Sequence, residues 1–261
     1  GRRPRPIRLR GLIRIRRGIM RIIIASPPKT GNSWLKCLLA SLYDLQWLTG
    51  EETPDGPTVD ALERWLATRG FPDDAVYHQH YPYSPDLIDV VDAIPAHVAT
   101  ILRDPYDMFV SLYFFVQTQA DNPNRAAKGR SRSADVMIGR AIDDPESLAF
   151  LADGFDVALE KGIAWLESGR SAVVRYEALH ADPAGAMAAL TGQLRPVEPE
   201  RIARAVESCT ADNLLQQRKG LKRRIRSATV GDWRNHLSDD HLRIMRERHA
   251  PAIERLGYDV R

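Results

Sequence analysis

Only two cysteines, Cys37 and Cys209, occur in the 261 residues. Two thiols cannot build the disulfide framework that staples small secreted domains. They read as small buried residues of a protein kept in a reducing compartment, so a cytoplasmic location is expected. No apolar run approaches the roughly 20 residues a helix needs to cross a bilayer, so no membrane span is expected. No Gly-x-x-x-x-Gly-Lys-Ser/Thr stretch occurs, which argues against a cradle for Mg·ATP. No His/Cys/carboxylate cluster has metal-ligand spacing, and no metal is expected. Internal repeats and interdomain linkers are also missing. The length suits one large α/β domain with a full core.

The charge balance is uneven. The net charge is +3, yet eight arginines stand between Arg2 and Arg17. Without them the remainder carries about −5. Residues 1–19 read as a basic accessory arm, and residues 20–261 as a single domain. An arginine arm can attract nucleic acid or anionic lipid, but composition alone points to a solvated tail, so nucleic acid is not an expected partner.

The richest stretch runs from Met20 to Leu35. Ile22 to Ile24 is a β-branched run typical of a buried strand. Pro27, Pro28 and Gly31 break it. Beyond Asn32, Trp34, Leu35, Leu38, Leu39, Leu42 and Leu45 recur at helical spacing. A loop between strand and helix presents free N–H groups at the positive end of the helix dipole, which makes an anion site. Lys29 adds a mobile cation, and Thr30 and Ser33 add hydroxyls.

Further strands are expected at 75–80, 98–102 and 171–176, with helices at 59–68, about 105–116, 135–142, 145–152 and 155–168, and after Asp182, Pro199 and Ser238. Strands alternating with helices predict a three-layer α/β/α fold around a parallel sheet, with a P-loop-like phosphate-binding turn. Residues 81–85 read as a proline-pinned loop and 120–134 as a polar lid. Arg103 ends the third strand, Asp104 caps the following helix, and Pro105 opens it. The basic run 217–226 has too few apolar residues to pack and could clamp an anion.

Four groups of residues, in order, resemble the PAPS-dependent sulfotransferases, in particular the cytosolic branch and its bacterial relatives. Pro28-Lys29-Thr30-Gly31-Asn32-Ser33-Trp34 is similar to the family's 5′-phosphosulfate loop. Arg103-Asp104-Pro105 with Val110-Ser111-Leu112-Tyr113 is similar to its 3′-phosphate strand and helix. Tyr176-Glu177-Ala178-Leu179 follows the fourth strand. Arg218-Lys219-Gly220 and Gly231-Asp232-Trp233 are similar to its closing motifs, although residues 221–230 make a longer, basic spacer than the family has. His78-Gln79-His80-Tyr81-Pro82 falls where the family carries Lys-Thr-His-x-Pro, so His80 takes the base position and His78 replaces the lysine.

The resemblance implies a co-substrate, 3′-phosphoadenosine 5′-phosphosulfate (PAPS), and a product, adenosine 3′,5′-bisphosphate (PAP). The acceptor would be a hydroxyl or amine of a small molecule. His80 would take the acceptor proton, and an unperturbed imidazole titrates near a suitable pH of about 6.5. Lys29 would stabilise the leaving oxygen. Lys29, Thr30, Gly31, Asn32, Ser33 and Trp34 would hold the 5′ end, with Trp34 and Tyr176 beside the adenine. Arg103, Ser111, Arg218, Lys219 and Gly220 would hold the 3′-phosphate. Residues 47–58, 81–90 and 116–135 would shape the acceptor pocket, with Trp47, Tyr81, Tyr83, Phe114 and Phe115 as its aromatic face. The oligomeric state is open, and a homodimer is allowed. Two rival readings are a P-loop kinase, which would need the missing Gly-Lys-hydroxyl, and a non-catalytic nucleotide- or nucleic-acid-binding module.

Overall fold

The structure is a computed structural model that describes residues 18–120, 133–217 and 229–261. Most of the arginine arm, the polar stretch 121–132 and the basic run with Arg218, Lys219 and Gly220 lie outside the described residues.

Five strands form one sheet: β1 (Arg21–Ala25), β2 (Gln46–Trp47), β3 (Ala75–Gln79), β4 (His97–Leu102) and β5 (Ala172–Arg175). All pairings are parallel, in the order β2-β3-β1-β4-β5. The helices are α1 (Asn32–Tyr43), α2 (Val59–Thr68), α3 (Pro85–Ala93), α4 (Pro105–Gln117), α5 (Pro145–Asp153), α6 (Asp156–Ser168), α7 (Tyr176–Ala181), α8 (Pro183–Leu194), α9 (Pro199–Ser208), α10 (Ala211–Gln217) and α11 (Asp239–Arg255).

The isoleucine run of β1 is buried on both faces because helices cover both. Ile22 and Ile24 pack with α1, α8 and α9. Ile23 and Ala25 pack with α2, α3 and Trp165 of α6. A third apolar cluster joins α4, α5, α6 and α11. This is the expected three-layer α/β/α arrangement. The chain winds from β1 to β3 on one side, then crosses back to β4 on the other. Such a reversal opens a crevice at the carboxyl ends of the strands, where ligands of open α/β sheets bind.

Several local expectations are corrected. Helix α1 stops at Tyr43, because Asp44 takes a left-handed conformation (φ 53°) and closes it with an N–H bond to Ala40 O. Leu45 therefore packs from outside the helix, and Gln46–Trp47 adds an edge strand beside Ala75 and Val76. Residues 85–93 are helical rather than loop: the Ser84 side chain accepts from Leu87 N, and Leu87, Ile88 and Val91 are buried. Between 135 and 142 only a 3-10 turn, Ser133–Met137, forms, and Gly139 breaks it at φ 75°.

The largest correction concerns the cysteines. Cys37 of α1 and Cys209, at the end of α9, are disulfide-bonded, with Cα atoms 5.9 Å apart. The pairing removes the ground on which cysteine usage suggested a reducing compartment. No helix among the described residues is long and apolar enough to cross a membrane.

Candidate active site

The crevice begins where β1 ends. Ser26 is fully buried, and its hydroxyl accepts from Ile101 N at 2.9 Å. The Thr100 hydroxyl donates to Ala25 O at 2.8 Å. These bonds tie β1 to β4 just before the loop. The Ser26 carbonyl faces the other neighbour, and His80 Nδ1 reaches it at 2.8 Å. A carbonyl can only accept, so Nδ1 carries the proton; in the neutral form of the ring the lone pair then lies on Nε2.

The loop from Pro27 to Gly31 is shaped from inside. Thr30 Oγ1 and Asn32 Nδ2 both donate to Pro27 O at 3.0 Å. These two buried side chains close the turn, which leaves their backbone N–H groups as the parts suited to a ligand. Lys29 (φ 67°) and Gly31 (φ 107°) both have positive φ. Gly31 is also required by space, since a Cβ there would lie 2.8 Å from Tyr176 Cδ2 and 3.0 Å from Ile101 Cδ1. No side chain caps α1, so its opening N–H groups, including that of Ser33, lack the side-chain partner a cap would supply, as an anion site requires. Lys29 Nζ lies 4.4 Å from the centre of the Phe115 ring on α4.

A line of contacts leads from this loop to the end of β4. The Trp34 and Tyr176 rings meet edge-on at 5.7 Å. The Arg103 guanidinium carbon lies 4.3 Å from the centre of the Tyr176 ring. Arg103 is nearly buried, and its Nη2 donates to Thr229 O at 2.8 Å. Its buried Nε has no hydrogen-bond partner. A buried guanidinium N–H without an acceptor is costly. Ser111 sits half-buried in the second turn of α4.

The loop, Trp34, Tyr176 and Arg103 thus form one connected run of contacts, and His80 is tied to the strand from which the loop springs. Of the aromatic residues expected at an acceptor pocket, Phe115 is joined to the loop through Lys29. Tyr81 is instead part of the core, with its hydroxyl 3.3 Å from that of Tyr77 and its carbonyl accepting from Trp165 Nε1 at 2.9 Å. Burial pushes the Tyr81 phenol up to about 12 and that of Tyr77 well above its ordinary value. Both stay protonated near neutrality.

Sequence reading passed over three residues that build this site. Ser26 carries no signal, because the work is done by its backbone carbonyl. Glu177 was visible only as a motif letter. It accepts from Asp104 N at 2.8 Å and from the Tyr258 hydroxyl at 2.9 Å, fastening the two strand ends. Asp107 had a signal, the i,i+4 spacing from Arg103.

The sequence profile of the sulfotransferase domain family matches residues 20–257. Cytosolic sulfotransferase 3 of Arabidopsis thaliana is 26% identical over 254 residues, covering 89% of this chain and 77% of the plant protein. The crystal structure of mouse sulfotransferase SULT7A1 complexed with PAP is similar at a TM-score of 0.66 and 18% identity, covering 90% of this chain and 84% of the mouse chain. A retinol dehydratase crystallised with androsterone and PAP is similar at a TM-score of 0.62 and 13% identity, covering 92% and 82%.

Proposed function

The chain belongs to the sulfotransferase family, and from that premise we propose that it moves the sulfuryl group of PAPS to a hydroxyl or amine of a small-molecule acceptor, with His80 as general base. The observation that carries the reading is the run of contacts from the Lys29–Trp34 loop through Tyr176 to Arg103. It joins a lysine-bearing loop at one end to a buried arginine at the other, which suits a nucleotide phosphorylated at both 5′ and 3′ positions. Two of the solved neighbours, the mouse sulfotransferase and the retinol dehydratase, were crystallised with PAP.

When bound, the donor supplies an activated sulfuryl group whose S–O bond to phosphate breaks as the acceptor oxygen bonds to sulfur. His80 Nε2 receives the acceptor proton, while the Nδ1–H bond to Ser26 O holds the ring in the receptive tautomer. Lys29 and the opening N–H groups of α1 offset negative charge on the leaving phosphate oxygen. Ser33 hydrogen-bonds the 5′ end, and Trp34 borders the adenine. Arg103 and Ser111 hold the 3′-phosphate. Arg218, Lys219 and Gly220, beyond the described residues, are assigned to the same phosphate by the family resemblance. The charge on the nucleotide is matched by lysine and arginine, and the mechanism assigns no metal. We place this chemistry in one domain spanning residues 20–261. The Arabidopsis relative is cytosolic by name, which supports the same placement here.

A binding experiment tests the donor assignment. PAP should raise the melting temperature by linkage, and ATP with Mg²⁺ should raise it less; the opposite order favours a kinase. A labelled-PAPS assay across phenols, sugars, glycolipids and peptides then identifies the acceptor. No transfer to any hydroxyl or amine, together with tight PAP binding, would leave a binding module as the better reading.

A further inference from the structure

Asp107 lies at the third position of α4, and its side chain is 1% exposed. Both of its oxygens are engaged by one turn of backbone far away in sequence. Oδ2 accepts from Gly231 N at 2.7 Å, and Oδ1 accepts from Trp233 N at 3.0 Å. The same Oδ2 stands 3.7 Å from Arg103 Nη2. The guanidinium of Arg103 in turn donates to Thr229 O, two residues before Gly231. Arg103, Asp107 and residues 229–233 therefore form a closed ring of contacts. The ring fixes the guanidinium while leaving its Nε without a protein acceptor.

We propose that Asp107 is a positioning residue for recognition of the donor's 3′-phosphate. It acts through Arg103 and does not touch the nucleotide. Its carboxylate compensates the buried cation, which would otherwise carry a large desolvation penalty. It also holds the guanidinium in one orientation through the 3.7 Å contact to Nη2. Clipping Gly231 and Trp233 to the start of α4 keeps Thr229 in reach of Arg103. A bare carboxylate near a phosphate would repel it. Here two N–H donors and one arginine absorb that charge. The inference rests on the donor reading above.

The test compares PAP with 5′-AMP, which lacks the 3′-phosphate, by calorimetry on the full chain. Wild type should prefer PAP. Asp107→Asn keeps the volume and one acceptor while removing the charge. Its preference for PAP over 5′-AMP should fall by about tenfold or more, the size expected for a lost charge-assisted contact, with 5′-AMP affinity nearly unchanged. In steady state the donor KM should rise while kcat at saturating donor stays within a few fold. In an Arg103→Met background, Asp107→Asn should no longer alter the PAP to 5′-AMP ratio. Parallel loss of both affinities, or an unchanged ratio in the single variant, overturns the proposal. If Asp107→Asn does not fold, Asp107→Ser, which also removes the charge and keeps one acceptor, decides by the same ratio: a selective loss of the PAP preference supports the positioning role, and an unchanged ratio or parallel loss overturns it. A wild-type chain that does not prefer PAP overturns the donor assignment, and this inference with it.

Discussion

His80 Nδ1 and the carbonyl oxygen of Ser26 are 2.8 Å apart. The pair joins the end of β3 to the end of β1, one residue before the phosphate loop begins. A histidine placed this way can exchange its proton with an acceptor only through Nε2, and its orientation is set by backbone. His80→Ala should lower kcat by about 10²- to 10⁴-fold, the usual contribution of a general base. PAP should still raise the melting temperature of the variant as it does in wild type. The two readouts separate chemistry from binding, and turnover within threefold of wild type removes His80 as the base.

The sequence was informative wherever one residue type has one strong local consequence. Ile22 to Ile24 announced a two-sided buried strand, and Asp104-Pro105 announced a capped helix. The loop from Pro28 to Trp34 was legible because its residues occupy consecutive positions. Reading failed where tertiary contacts decide. Gln46–Trp47 is too short to carry a pattern and becomes a strand only because β3 offers an edge. The prolines at 82 and 85 suggested a loop, yet Pro85 is the first residue of α3 under a Ser84 cap. The side chains of Thr30 and Asn32 turn inward to Pro27, a contact that no local pattern shows. The Cys37–Cys209 bond spans 172 residues, and nothing local in two isolated cysteines foretells it.

Asp104 gives a pH signature to stability. Burial raises its carboxyl from the ordinary 3.8 to about 6, with the Tyr106 N–H bond opposing the shift. A raised acid keeps its proton in the folded chain at pH values where the unfolded chain has lost it. Stability from this group is therefore full below about pH 4 and declines as pH rises through about 6. A two-unit shift corresponds to about 3 kcal/mol. Asp104→Asn keeps an acceptor for Tyr106 N and has no charge to bury. Urea unfolding of both proteins from pH 4 to 7 should show wild type losing ground to the variant across that window. A constant difference between the two curves would mean that Asp104 titrates as an ordinary carboxyl.

The disulfide offers the last test, and it bears on how the phosphate loop is supported. Cys37 lies in α1, the helix whose first turn closes the loop. Cys209 ends α9, which packs on α1 through the same apolar cluster. A bond across 172 residues closes a long loop in the unfolded chain, and such cross-links commonly contribute about 2–4 kcal/mol. Reduction should lower the melting temperature by about 4–16 °C at the sensitivity of a chain this size. The double variant Cys37→Ser/Cys209→Ser should melt at the reduced temperature and ignore reductant. PAP should stabilise the reduced and oxidised forms by similar increments, because the loop is shaped by Pro27, Thr30 and Asn32 rather than by the bridge. Two titratable thiols in the untreated protein, with a melting point indifferent to reductant, would show that the bond does not form. A PAP increment that disappears on reduction would instead show that the bridge, and not the turn's own hydrogen bonds, holds the loop.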